Sequence, residues 1–152
     1  WIDGGWGVDA LMGEVTRPHE DLDIFIPTAE SQALLEALIG FGFRDVHTDD
    51  TCERNFVMGH PKHGLIDFHV FELTPDGGGI YAPREVDWII SQDDLKGVGS
   101  IGGKSARCFT PEYQVRSHTG YELCDTDFSN MASLQSKFGV ALLEEQIKKS
   151  IN

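Results

Sequence analysis

Cationic side chains are scarce in this chain. Lys and Arg number 12 against 25 Asp and Glu over 152 residues, a net charge of −13. A nucleic-acid partner needs a basic surface to displace counterions from phosphates, so this balance argues against nucleic acid. Such acidity instead draws cations toward clefts. Solubility alone is the other reading of the same charge. Cysteine is also scarce: Cys52, Cys108 and Cys124 are odd in number and unspaced for a metal. That argues against a disulfide scaffold and points to a reduced, cytoplasmic setting. No apolar run reaches transmembrane length and no basic, apolar and small-residue stretch reads as a signal segment, so no membrane partner is expected. Repeats, low-complexity tracts and linkers are missing too. The chain therefore reads as one domain, 1–152, large enough for its own core.

What the chain does have is concentrated between Gly4 and Asp23. Gly4 and Gly5 follow an apolar start at Trp1 and Ile2. A glycine turn lets backbone N–H groups approach phosphate oxygens, because no Cβ stands in the way. Asp21 and Asp23 then enter the next apolar run two residues apart. On a strand, alternation puts both carboxylates on one face. A further acid, Asp67, sits inside the strongly apolar run Leu65–Phe71. A charge there is costly unless it is paired or bound to metal. Leu22, Ile24 and Ile26 share one face of the first run, and Ile66, Phe68 and Val70 one face of the second. Asp21, Asp23 and Phe25 take the opposite face, as do Asp67 and His69. Two strands with one apolar and one acidic face suggest a single site. A phosphate cradle with paired carboxylates is the minimum kit for a nucleoside triphosphate with magnesium.

This pattern, Gly-Gly, then Asp-x-Asp, then a separate strand Asp, resembles the DNA polymerase β-like nucleotidyltransferases. The wording Asp3-Gly-Gly-Trp-Gly-Val-Asp-Ala-Leu11, followed by Thr16-Arg-Pro-His-Glu-Asp-Leu-Asp-Ile24, is similar to the antibiotic-modifying branch. That branch comprises the aminoglycoside 2″-adenylyltransferases and lincosamide nucleotidyltransferases. Ile66–His69 and Cys108–Tyr121 are similar to it as well. One departure is the fifteen residues between Gly5 and Asp21, slightly more than in many polymerase β-like enzymes. The resemblance implies an α+β polymerase β-like nucleotidyltransferase fold, a mixed β-sheet flanked by helices. It also implies a helix ahead of Trp1, Mg2+ and ATP (or another NTP), a small antibiotic-like acceptor, and a homodimer.

Coarse patterning predicts a strand end at Trp1–Asp3 and a short helix over Val8–Gly13, with Gly4–Gly7 as its phosphate-facing entry. A strand follows at Asp23–Ile26. Next comes a helix from Pro27-Thr28 to about Ile39, with Thr28 as cap and Leu34, Leu35, Leu38 and Ile39 inward. Phe43–Val46 returns as a strand, and Phe56–Met58 and Leu65–Phe71 read as a hairpin. Residues 80–109 read as Gly-rich and irregular, with short strands near Gly99–Ile101 and Ala106–Phe109. Pro111 opens a helix. A last helix, capped by Ser129 or Asn130, is expected to run to about Lys149, with Met131, Leu134, Phe138, Leu142 and Ile147 inward. Residues 1–75 form the expected metal and nucleotide core, and 76–152 the acceptor-binding and C-terminal helical part.

In the expected site, Asp21, Asp23 and Asp67 hold magnesium, and Asp67 deprotonates the acceptor hydroxyl or holds the metal that acidifies it. His69 is the alternative base, or a packed structural histidine. Gly4 and Gly5 hold the outer phosphates. Arg17 clamps phosphate through its fork, or pairs with Glu20 or Asp21. His19 touches phosphate, orients an acid, or makes a local hydrogen bond. Trp6 and Trp88 stack on the adenine or a sugar, or pack in the core. For the acceptor the candidates are His118–Tyr121, Glu85, Asp87, Glu112, Glu122, Asp125 and Asp127, the last two also reading as turn or cap groups. Lys137 reaches a phosphate or is solvated. The competing reading is a nucleotide-binding or antitoxin-like interaction module that keeps the fold without turnover.

Overall fold

The computed structural model describes residues 1–83 and 87–147. Its centre is a parallel pair, β1 (Asp21–Pro27) and β4 (Gly64–Leu73), in register Asp23 with Asp67 and Phe25 with His69. Around it run β2 (Arg44–Val46), β3 (Asn55–His60), β5 (Gly79–Tyr81) and β6 (Trp88–Ile90), in the order β2-β3-β4-β5-β6 with β1 on β4. Apart from β1·β4 these pairings are antiparallel, so the sheet is mixed as expected. A separate hairpin pairs β7 (Val98–Ile101) with β8 (Lys104–Arg107).

The alternation read in the sequence decides the layers. Ile24, Ile26, Ile66, Phe68 and Val70 form one face, covered by α2 (Thr28–Phe41) through Leu34, Leu35 and Leu38. On the opposite face the acids give way along the strands to aromatics: Phe25 and Phe71 pack with Phe109 and Tyr113 in a second cluster. A third cluster joins α1 (Gly4–Met12) to α3 (Pro111–Ser117) and α4 (Asp125–Phe138) through Val8, Leu11, Val115, Met131 and Leu134. A short α5 (Glu144–Ile147) follows. No helix among the described residues is long and apolar enough to cross a membrane.

Several elements differ from the sequence reading. α1 starts at Gly4 rather than Val8, because Gly7 N–H already donates to Asp3 C=O at 2.8 Å. Pro27, not Thr28, occupies the cap position of α2, and the Thr28 hydroxyl donates instead to Phe71 C=O at 3.2 Å. Ile39 lies half exposed, at 50%, outside the stripe. Helix α4 begins four residues before Ser129, because the Asp127 carboxylate accepts from Cys124 N–H at 2.9 Å and closes a capping box. It ends at Gly139, whose φ of +72° suits the left-handed cap. Phe138 and Ile147 are therefore not inward, at 42% and 44% exposure, whereas Leu142 packs against the third cluster. The expected extension to Lys149 lies outside the described residues.

Candidate active site

The extended start of the chain positions the site. Trp1 and Phe25 exchange backbone hydrogen bonds at 2.8 and 2.9 Å, and Asp3 N–H donates to Asp23 C=O at 3.1 Å. On its other side, Ile2 N–H donates to Arg107 C=O at 2.9 Å. Clamped between β1 and β8, the segment delivers Gly4 against Asp23. A Cβ on Gly4 would stand 2.2 Å from Asp23 Oδ2, and its φ is +56°, so both space and conformation demand glycine.

Asp23, Asp67 and His69 each turn one ligand atom into a common space, all within 4.8 Å of one another. Asp67 Oδ1 is buried without a hydrogen-bond partner. Burial, reinforced by the charges of Asp23, Asp50 and Asp21 and opposed by His69, pushes the Asp67 carboxyl up to about 6. For His69, burial alone would lower the pKa, but the Asp23, Asp67 and Asp3 carboxylates outweigh it and raise it. Asp21 stands one pleat before Asp23, more exposed and outside that cluster. Its carboxyl is raised by burial and then by Asp23. A buried carboxylate oxygen without a partner, among like charges, is the environment a divalent cation relieves. The residues therefore fit a metal.

Gly5 lies against the loop between α1 and β1. A Cβ there would meet Arg17 Nη2 and His19 Nδ1, each at 2.5 Å. The structure thus brings Gly5, Arg17 and His19 together. Arg17 does not pair with Glu20 or Asp21; its Nη1 donates to Pro18 C=O at 3.1 Å, and its Nε is buried without a partner. His19 does make a local bond, Nε2 to Asp9 Oδ2 at 2.6 Å, with the Trp6 ring 4.5 Å from its own. Asp9 was missed in the sequence. It is 1% exposed and also accepts from Thr16 N–H and Oγ1 at 3.1 and 2.5 Å, so it ties the whole loop to α1. An acid inside the apolar run Val8–Leu11 was the available signal.

Two cavities open nearby, one at Asp21 and one at His69. One, of about 350 Å³, is lined by Trp6, His19, Asp21, Leu22, His63 and Leu65. The other, of about 340 Å³, has Asp3, His69 and Ser117 among the rings of Phe25, Tyr81, Trp88 and Tyr113. Asp3, also missed, is pushed up to about 6 by burial, and its Oδ1 is an unpartnered buried oxygen. A third, more polar cavity of about 280 Å³ lies between Arg17 and the start of α4 at Asp125, Thr126 and Ser129.

The acceptor candidates scatter. His118 is buried, its Nδ1 held 2.6 Å from Gln114 C=O, and Asp127 serves the capping box. Glu112, Glu122, Asp87 and Tyr121 are exposed, Asp125 lines the third cavity, and Glu85 lies outside the described residues. Lys137 is tied to the end of α1. Its Nζ donates to the C=O groups of Leu11 and Met12 at 3.1 and 2.7 Å, capping the negative end of α1. Trp88 lines the aromatic cavity, with its buried Nε1 unpartnered.

Known proteins of similar sequence and structure identify the family. A lincosamide resistance protein from Staphylococcus haemolyticus is 31% identical over 137 residues, covering 90% of this chain and 83% of that protein. The crystal structure of the lincosamide antibiotic adenylyltransferase LnuA, lincomycin-bound, matches with a TM-score of 0.77 at 28% identity, over 90% of this chain and 85% of that one. A 2″-aminoglycoside nucleotidyltransferase from Escherichia coli is 49% identical over a shorter stretch of 39 residues, 26% of this chain and 22% of that protein. The model of the aminoglycoside-2″-adenylyltransferase family matches residues 1–134. With that match over most of its length, the chain belongs to the aminoglycoside-2″-adenylyltransferase family.

Proposed function

We propose that this nucleotidyltransferase moves the nucleoside monophosphate of ATP onto a hydroxyl of an antibiotic, with a lincosamide as the favoured acceptor. The observation that carries the reading is the buried, unpartnered Oδ1 of Asp67 grouped with Asp23 and His69, with one cavity lined by the neighbouring Asp21 and another by Asp3 and His69. The lincosamide preference rests on the relatives matched over 90% of the chain. An aminoglycoside acceptor is the second reading, favoured by the local 49% identity.

Asp21, Asp23 and Asp67 are the proposed holders of magnesium, which when bound offsets charge on the triphosphate. Asp67 takes the proton of the acceptor hydroxyl as that oxygen attacks the α-phosphorus and pyrophosphate leaves. In the metal-free protein burial raises this carboxyl to about 6, so it is ionised at neutral pH and available both to a cation and to a proton. The amides after Gly4 and Gly5, with Arg17 and His19, cradle the outer phosphates; the protein's task there is in-line positioning and charge stabilisation. Trp6 lines the cavity beside Asp21 and offers a ring to the base. Residues 1–75 supply the acids and the cradle. Residues 76–152 supply Tyr81, Trp88 and Tyr113 to the acceptor cavity. Cytoplasmic placement is carried by the cysteine usage, and a homodimer by the family resemblance.

Mass spectrometry of a lincosamide and an aminoglycoside after incubation with enzyme, ATP and magnesium tests the reading. A nucleotidylated antibiotic is expected, together with stoichiometric pyrophosphate. ATP left intact with both drug classes would overturn it.

A further inference from the structure

We propose that His69 is a nitrogen ligand of the divalent-cation site, adding an imidazole to its carboxylates, beside Asp23 and Asp67. The inference deepens the nucleotidyltransferase reading and rests on it for the presence of a metal. It adds a ligand type that the acid pattern in the sequence did not assign.

Parallel pairing of β1 with β4 sets Asp67 opposite Asp23, and alternation brings His69 to the same face one pleat further along. His69 Nε2 lies 3.7 Å from Asp23 Oδ1. That is too long for a hydrogen bond. Two ligand atoms each about 2.1 Å from a shared ion lie about 3.0–3.8 Å apart, so the spacing suits a common cation.

The other ring nitrogen is accounted for. His69 Nδ1 lies 2.9 Å from Asn55 Oδ1 and 3.0 Å from the Tyr81 hydroxyl oxygen. The Tyr81 hydroxyl donates its own hydrogen to Asn55 Oδ1 at 2.7 Å, leaving its oxygen as an acceptor. Asn55 Nδ2 donates to Asp50 Oδ2 at 3.2 Å, which fixes the amide so that its oxygen faces the ring. Nδ1 therefore donates, which leaves Nε2 as the nitrogen that faces Asp23 and that, in the neutral ring a metal requires, carries the lone pair. Metal-bound histidines are held in this way by a partner on the second nitrogen. Asn55, 7% exposed at the start of β3, is thus a positioning residue for the metal ligand. A nitrogen ligand also moves selectivity from magnesium toward transition metals such as manganese.

The test uses electron spin echo spectroscopy on the protein with Mn2+ and inorganic tripolyphosphate, which contains no nitrogen. The wild-type protein is expected to show 14N coupling to manganese. Protein grown with 15N-histidine should replace it by 15N coupling, a control that needs no substitution. His69→Gln should lose the coupling, and Asn55→Ala should weaken Mn2+ binding roughly 10–100-fold. If Mn2+ binds and Asp23→Asn abolishes that binding, but no histidine nitrogen couples, His69 is not a ligand and the nucleotidyltransferase reading stands. If Mn2+ does not bind with tripolyphosphate, both the ligand assignment and the metal assignment fall. Coupling that persists in a folded His69→Gln protein would also overturn the proposal.

Discussion

At the scale of single residues, the account depends on carboxylates whose environments differ. Asp23→Asn or Asp67→Asn should abolish turnover while melting temperature stays near wild type, since each removes a charge from a repulsive cluster rather than from the core. Wild-type rates in either variant under saturating magnesium would remove the acids from the mechanism. Asp3 gives a prediction about pH. Its folded pKa, about 6, lies above its ordinary 3.8, so its stabilising contribution is complete below pH 3.8 and is lost as pH rises through 6. Urea unfolding of the metal-free protein at pH 4 and 7 should show Asp3→Asn gaining on wild type with rising pH, by on the order of 2–3 kcal/mol. An unchanged difference between the two pH values would mean that Asp3 does not titrate as described. The acids of the site were legible because alternation alone put Asp23, Asp67 and His69 on one face. The partners of His69 were not, since Asn55 and Tyr81 reach it only through β3 pairing and the turn into β5.

At the scale of elements, α1 and the loop to β1 form one device, tied by Asp9 to Thr16 and His19. Asp9→Ala leaves those groups unpartnered and should cost about 1–3 kcal/mol of stability. It should raise the KM for ATP as Arg17 and His19 lose their place. A variant with wild-type KM would detach the loop from nucleotide binding. Gly5→Val presses on Arg17 Nη2 and His19 Nδ1, and Gly5 has no positive φ, so the effect is one of space. ATP affinity should fall about tenfold or more, equivalent to about 1.4 kcal/mol; calorimetry showing unchanged affinity in a folded protein would move the phosphate site. Helices α1, α2 and α3 could be read to within a few residues from apolar spacing and Pro111. The end of the chain could not, because α4 obeys a local cap at Cys124 and Asp127 and a glycine stop at Gly139, which outweigh the longer apolar pattern. Strands β5 and β6 escaped notice because three residues each carry too little alternation to read.

At the scale of the whole molecule, the charge of −13 is a field rather than a contact. If it recruits a polycation, aminoglycoside binding should weaken steeply with salt, because screening shortens to about 8 Å at physiological ionic strength. Binding of a singly charged lincosamide should respond much less. Titration of both drugs at low and high salt, with magnesium and an ATP analogue, checks this; equal salt slopes would mean the acidity serves solubility. The mixed sheet was foreseen from the family resemblance, whereas its strand order depends on pairings between distant segments that no local pattern encodes. Pyrophosphate release in the presence of ATP, magnesium and a lincosamide, measured for wild type and Asp67→Asn, tests the central claim most directly. The account predicts release that requires the antibiotic in wild type and is absent in the variant. Release that ignores the antibiotic, or that survives in Asp67→Asn, would contradict it.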